Sequence, residues 1–424
     1  MGMIKLTSSN PNMSFIIKKN PSTGMIQKKI RKGLGYGWFS EHNNYNVYFK
    51  DFFEMNSYGD GSNSMYEYLN KNQYTSPFFV LNCIQEFFKA PLQEDELDSC
   101  DVYTHSFEVL MVTIEKINFL QRVLKHFKSE NIIVEYQLVN DKNYSITLST
   151  TKSLHYLFHF AQTMFAFIGL FSKEYMVIDQ NVIKKYTKSL NIIDAPYYVR
   201  YMFSSLFITD RKVFEEIKSE LETSNIIMNF GNTQQQRKDF VFDIVSTNTN
   251  ILDIGCGEGD YLFNLAKKLP SDMNYYGVER EQSIIDNISE KTIERKINNV
   301  FISNIIPNFD EEKSMNIMMI EVMEHMWLIE AENLILEVLN NKKLNFEKFI
   351  ITTPNKDFNK FYMIEEHEFR HDDHKFEFTK VEFDNWVEEF IKVNIPSNVE
   401  IQPIMIGDCV DEIFTTQGIV LIKK

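Results

Sequence analysis

Two short runs in the carboxyl-terminal half gather most of the side chains that could hold a metal. Glu321-Val322-Met323-Glu324-His325 places two carboxylates and an imidazole at i, i+3 and i+4, directly after the apolar run Met315 to Ile320. If a helix starts there, the three side chains share one face, near enough to chelate one cation. A zinc-protease HExxH would need a histidine where Glu321 stands, and its glutamate would be a base and not a ligand. Between 46 and 49 residues past His325, Phe369-Arg370-His371-Asp372-Asp373-His374-Lys375-Phe376-Glu377-Phe378-Thr379 offers His371 or His374 as a further imidazole. Two carboxylate oxygens and two imidazole nitrogens make a hard, mixed set. It suits octahedral Mg²⁺ or Mn²⁺ with two positions free better than tetrahedral zinc.

A second constellation lies upstream. Asp253-Ile254-Gly255-Cys256-Gly257-Glu258-Gly259 sets glycines at alternate positions between an apolar strand and a following helix. Glycine lets the backbone turn sharply and approach a ligand with no Cβ in the way, and a helix N-terminus offers unpaired N–H groups. The GxGxG spacing differs from the GxGxxG of dinucleotide folds, and the GK[ST] of a phosphate loop is absent. Twenty residues past Gly259, Glu279 ends the next strand, where an acid can accept both hydroxyls of a ribose. Asp253 would lie beside the cationic end of the ligand. Cys256, with no base nearby to lower its pKa, reads as a small buried spacer and not a nucleophile. This combination resembles the class I S-adenosylmethionine-dependent methyltransferases. The resemblance implies a cofactor site built from Asp253, Gly255, Cys256, Gly257, Gly259, Glu279 and Ser283.

These groups need a scaffold to bring them together. Strands read at Asn250 to Ile254, Tyr275 to Glu279, Met315 to Ile320 and Lys348 to Thr352, and helices at Tyr261 to Leu269 and Ser283 to Ile293. Such alternation predicts an α/β fold, a class I (Rossmann-like) domain with a doubly wound sheet and its ligands at the carboxyl ends of the strands. The preceding half reads as a mixed α+β domain. Its helices are expected near Pro77 to Phe88, Glu115 to Ser129, Leu154 to Phe171 and Lys212 to Leu221. A strand covers Tyr103 to Leu110, and Ile133 to Leu138 with Tyr144 to Leu148 reads as a hairpin. The polar run Asn229 to Lys238 marks the expected join, giving domains 1–228 and 229–424.

At 424 residues and 44% apolar, the chain has the length of two or three domains and a globular composition. A formal charge of −15 excludes an overall basic field that recruits polyanions, so any nucleic-acid contact is local. One basic cluster is present: Lys18, Lys19, Lys28, Lys29, Arg31 and Lys32, followed by Gly33-Leu34-Gly35-Tyr36-Gly37-Trp38, whose aromatics could stack on RNA. The cysteines, Cys83, Cys100, Cys256 and Cys409, form no CxxC pair and fit reduced thiols. With no signal-peptide core and no uncharged apolar run of about 18 residues, the expectation is a cytoplasmic protein with no membrane association.

Together, DIGCGEG, EVMEH, Thr352-Thr353-Pro354-Asn355 and FRHDDHKFEFT resemble the RNA 3′-terminal-nucleotide 2′-O-methyltransferase family, which modifies plant and animal small RNAs and, in bacteria, repaired RNA ends. The resemblance implies that Glu321, Glu324, His325 and His374 ligate a divalent ion, Mg²⁺ or Mn²⁺, that grips the 2′- and 3′-hydroxyls of the last nucleotide. It selects His374 as the second histidine of the family's HxDH-like cluster, leaving His371 to support the site or accept a proton. Arg370 is read as a bidentate binder of a terminal phosphate. Phe378 stands where family members usually carry Trp. Upstream, Ser14 to Pro21, Tyr68-Leu69-Asn70, Tyr74 and Ser76-Pro77-Phe78-Phe79 are similar to the amino-terminal half of the bacterial RNA-repair members. The implied partners are an RNA 3′ end with free 2′,3′-hydroxyls, with no DNA, and a polynucleotide kinase-phosphatase-ligase repair enzyme docked by the amino-terminal half. Rival readings are methylation of small RNAs outside repair, methylation of a small-molecule diol, a metal-dependent hydrolase, and a non-catalytic binding subunit.

Overall fold

The computed structural model describes residues 2–31, 33–51, 74–93, 102–174 and 177–424. Tyr68-Leu69-Asn70, Lys32 and Cys100 lie outside the described residues. The chain divides into two compact units, Met1–Leu221 and Glu222–Lys424.

The first unit pairs an antiparallel sheet with helices. Its strands are β1 (Met3–Ser8), β2 (Ile26–Ile30), β3 (Gly33–Glu41), β4 (Asn44–Asp51), β5 (His105–Thr113), β6 (Ile133–Asn140) and β7 (Asn143–Thr150), and they lie side by side as β2-β3-β4-β1-β5-β7-β6. Alternation along β1 buries Ile4 and Leu6, the period-two pattern of a strand with one face on a core. The helix Leu154–Leu170 is buried along nearly its whole length, and Phe158 on it stacks on Phe88 with ring centroids 4.6 Å apart.

The glycine run in β3 has a packing cause. A Cβ on Gly35 would sit 2.7 Å from the Phe87 ring, and one on Gly37 would sit 2.6 Å from it. The glycines clear one face of the strand for the helix Pro77–Phe87. Part of the basic cluster is engaged within the same unit: Lys28 pairs with Glu86 at 3.7 Å, and Arg31 binds Glu174 and the Ser76 hydroxyl.

The second unit contains β8 (Ile226–Ile227), β9 (Asn250–Ile254), β10 (Tyr275–Val278), β11 (Val300–Ser303), β12 (Lys313–Ile320), β13 (Leu344–Pro354), β14 (Val399–Val410) and β15 (Ile413–Lys423). They form one sheet in the order β11-β10-β9-β12-β13-β15-β14-β8. The first five are parallel, and β15, β14 and β8 join antiparallel. Both faces are covered. Met315, Ile317 and Met319 of β12 enter one apolar cluster, while Met318 and Ile320 enter the other. This explains why the strand reads as an unbroken apolar run. From β9 the chain moves outward to β10 and β11, then returns across β9 to β12. The carboxyl ends of β9 and β12 therefore flank a topological switch point, the place where open α/β sheets bind ligands.

The boundary between units falls at Leu221/Glu222 and not at 228/229. Ile226 and Ile227 pair with Val410 and Cys409 as an edge strand of the second sheet, and Glu222 accepts the Met228 N–H. The polar run expected to be a join is itself structured. Asn232 caps the helix Thr233–Ile244, and Gln236, 6% exposed, donates to Asp408 at 2.9 Å.

Candidate active site

The glycine turn follows β9 at the switch point. Gly255, Gly257 and Gly259 all have positive φ, at 71°, 50° and 83°. At Gly255 the need for glycine is doubled, because a Cβ there would lie 2.5 Å from Val322 Cγ2. The turn after β9 thus packs directly on the loop after β12. Cys256 is buried, and a Cβ on Gly277 would come within 2.9 Å of its sulfur. Burial, and next the Asp253 carboxylate, push its thiol pKa upward, which fits a spacer.

Glu279, beyond β10, accepts the Gly257 N–H at 3.1 Å through Oε2 and the Glu281 N–H at 3.0 Å through Oε1. Each oxygen keeps a lone pair for a further donor. Asp253 is 2% exposed and accepts the Tyr275 O–H at 2.5 Å. Burial lifts its carboxyl to about 7; the tyrosine hydrogen bond opposes the rise, and Glu279 and Asp260 add to it. Ser283 is exposed near the start of the helix Gln282–Glu294.

The metal-type residues follow β12. They do not lie on one α-helical face as the spacing suggested. Glu321 has φ 55°, and only Met323–His325 forms a 3-10 turn. A non-glycine residue in this region is uncommon, and such strain concentrates at functional sites. The turn and the loop carrying FRHDDH are joined by the Lys375 N–H, which donates to the Glu324 carbonyl at 2.7 Å. The loop is fastened on its far side by Lys356 N–H and Gln417 Nε2, both donating to the Phe378 carbonyl, at 2.9 and 2.8 Å. Phe378 itself packs against Trp386, with centroids 5.9 Å apart.

As a result, ligand atoms of Glu324, His325 and His374 lie within 4.8 Å of one another. Glu324 is fully buried. Its Oε2 accepts the Thr353 hydroxyl at 3.1 Å, and its Oε1 has no hydrogen-bond partner. Burial, with the nearby Glu321 carboxylate second, drives its pKa well above the usual carboxylate range. A buried carboxylate with an unpartnered oxygen, on a residue whose ligand atom lies within 4.8 Å of those of two histidines, is a donor set that fits a divalent metal. Glu321 stands outside the converging trio: Oε2 pairs with Arg237 at 3.3 Å and Oε1 accepts the Thr352 hydroxyl at 3.2 Å. Arg237 hides in the polar run and is indicated by no motif; Thr352 and Thr353 belong to a motif that carries the resemblance, but their bonds to Glu321 and Glu324 are not legible from it.

His371 is exposed, with its ring 5.2 Å from that of His374 and edge-on to it, outside the trio. Arg370 does not present an open fork to a phosphate. Its Nε donates to Asn359 Oδ1 at 2.6 Å, one terminal nitrogen to the Thr415 carbonyl at 2.7 Å, and the other to the Asn355 carbonyl. It anchors the loop.

A glycine turn and an acid at the switch point of the sheet's parallel strands fit a methyltransferase, and residues 245–390 match the methyltransferase-domain family. Residues 3–226, more than half of the chain, match the Hen1 N-terminal domain, and the chain belongs to the Hen1 family. A chain from a structure of a Pnkp1/Rnl/Hen1 RNA repair complex superposes with a TM-score of 0.80 at 25% identity, covering 99% of this chain and 100% of that one. Among curated relatives, a small RNA 2′-O-methyltransferase of Caenorhabditis elegans is 44% identical over 73 residues, 17% of this chain. A tRNA (guanine-N(7)-)-methyltransferase of Prochlorococcus marinus is 42% identical over 50 residues, 12% of this chain. The matched segments span 16% and 23% of those two relatives. Among the described residues, no helix is long and apolar enough to cross a membrane.

Proposed function

We propose that the protein methylates the 2′-oxygen of the 3′-terminal ribose of RNA, using S-adenosylmethionine and a divalent cation, within RNA end repair. The observation that carries this reading is the convergence of Glu324, whose buried Oε1 has no hydrogen-bond partner, with His325 and His374, beside the glycine turn, in a Hen1-family chain.

When bound, S-adenosylmethionine supplies an activated methyl group, and Mg²⁺ or Mn²⁺ supplies a Lewis acid that orients and acidifies a hydroxyl. Glu324, His325 and His374 would hold the cation, and Glu321, steered by Arg237 and Thr352, would supply a second carboxylate to the site. The turn at Gly255, Cys256, Gly257 and Gly259 brings bare backbone to the cofactor. Glu279 accepts its ribose hydroxyls, Asp253 faces its cationic end, and Ser283 lies at its rim. His371, exposed beside His374, takes the proton released from the 2′-hydroxyl. Residues 1–221 dock a polynucleotide kinase-phosphatase-ligase enzyme, a reading supported by the likeness over the whole chain to a repair-complex component. Buried free thiols at Cys83, Cys256 and Cys409 support a cytoplasmic setting.

The test is methyl transfer from labelled S-adenosylmethionine, with Mn²⁺, to short RNAs that differ only at the terminal 2′ and 3′ groups. A 2′-deoxy end has no acceptor oxygen and gives no product, and a cation held by these residues would engage both hydroxyls, so 3′-phosphate or 3′-deoxy ends are expected to lose nearly all of it. Equal rates on 3′-hydroxyl and 3′-phosphate ends overturn the role of the cation.

A further inference from the structure

Each histidine of the trio is held by its own carboxylate. His374 Nδ1 lies 2.6 Å from Glu377 Oε1, and His325 Nδ1 lies 2.8 Å from Asp373 Oδ2. Glu377 Oε1 also accepts the Arg370 N–H at 2.7 Å, and its other oxygen accepts Asn359 Nδ2 at 2.6 Å. This carboxylate is an acceptor on every side, so the proton in the contact belongs to His374 Nδ1. The same holds for His325 opposite Asp373. In both rings Nε2 is then the nitrogen with a lone pair to offer a metal.

We propose that Glu377 and Asp373 are positioning residues that fix the tautomer and ring orientation of His374 and His325, and so set the cation affinity of the site. The inference rests on the reading of Glu324, His325 and His374 as a cation site. The two supports are unequal. The His374 and Glu377 side chains are 2% and 0% exposed, whereas those of His325 and Asp373 are 39% and 67% exposed. Around the buried pair no water competes, and Arg370 and Asn359 lock Glu377 from behind. Around the exposed pair, water can replace the carboxylate. In Glu377→Gln the amide cannot accept from Arg370, Asn359 and His374 together. Its NH₂ would either oppose the Asn359 amide or donate to His374 Nδ1 and force the proton onto Nε2.

The measurement is Mn²⁺ binding to the full chain, without RNA or S-adenosylmethionine. Free Mn²⁺ is followed by electron paramagnetic resonance, and coordinated nitrogens are read by electron spin-echo modulation. Two imidazole nitrogens are expected in the unaltered protein. Glu377→Gln is expected to raise Kd about 10- to 100-fold and to lose one nitrogen, as for other partners of metal-bound histidines. Asp373→Asn, at an exposed site that does not threaten folding, is expected to raise Kd about 2- to 5-fold, below the 10- to 100-fold range of buried partners because water replaces the lost acceptor. Melting in EDTA checks that each variant is folded. If Glu377→Gln does not fold, Asp373→Asn decides alone, and an unchanged Kd overturns the proposal. Full Mn²⁺ affinity with two nitrogens in folded Glu377→Gln overturns it as well. Absence of Mn²⁺ binding by the unaltered chain overturns instead the cation-site reading on which it rests.

Discussion

Asp253 shows how burial tunes one side chain. Its carboxyl is raised to about 7 by desolvation, even though Tyr275 donates to it. Because the folded pKa lies above the unfolded one, its contribution to stability is fully present below about pH 4 and is lost as pH rises through about 7. A cation beside it favours the ionised form and reverses that loss. Affinity for S-adenosylmethionine is therefore expected to grow between about pH 6 and 8, and Asp253→Asn should flatten the profile. Calorimetry across this range checks it, and a flat profile in the unaltered protein would remove Asp253 from the cationic end. At this scale the site was partly readable. Carboxylates and imidazoles declare themselves by type and spacing. Thr352, Thr353, Asp373 and Glu377 sit within the motifs, but that they bond Glu321, Glu324, His325 and His374 is not legible until their partners are known.

Among the elements, the contact between the turn after β9 and the loop after β12 links the two halves of the chemistry. Gly255→Ala places a Cβ against Val322 at a residue with φ 71°. It is expected to destabilise the fold by about 1–3 kcal/mol and to weaken both cofactor and Mn²⁺ binding. Gly257→Ala meets no atom within 4 Å, so only backbone strain of about 1 kcal/mol applies. Thermal melts of the two variants, with and without Mn²⁺, separate the cases; equal destabilisation would show that the packing on Val322 is irrelevant. The elements built from apolar rhythm, such as β9 and β12, were visible in the sequence. The helix Thr233–Ile244 was not, because Asn232 and Gln236 look like loop residues while in fact capping and hydrogen bonding. β15 is hidden by Thr415, Thr416 and Gln417, which are buried polar residues in a central strand, with Gln417 donating to the Phe378 carbonyl.

For the whole molecule, the division at Leu221/Glu222 implies separable functions. Residues 1–221 are expected to co-purify with the kinase-phosphatase-ligase partner when co-expressed, and residues 222–424 are expected to bind S-adenosylmethionine and Mn²⁺ without the first unit. Pull-down and calorimetry on the two fragments check this. Capture of the partner only by the second fragment would reverse the assignment.

The sequence alone determined the methyltransferase class, through a glycine turn with its acid, and set two carboxylates and an imidazole at the end of an apolar strand. Backbone freedom and side-chain acidity are properties of residue type, and short-range spacing is preserved in any fold. Tertiary structure decided which of these groups meet. It brought His374 to Glu324 across 50 residues of chain, left His371 exposed and edge-on to His374 outside the trio, and turned Arg370 from a phosphate fork into an anchor. Such pairings depend on strand order and loop closure, where contacts between distant residues select one geometry among many that the same local sequence permits.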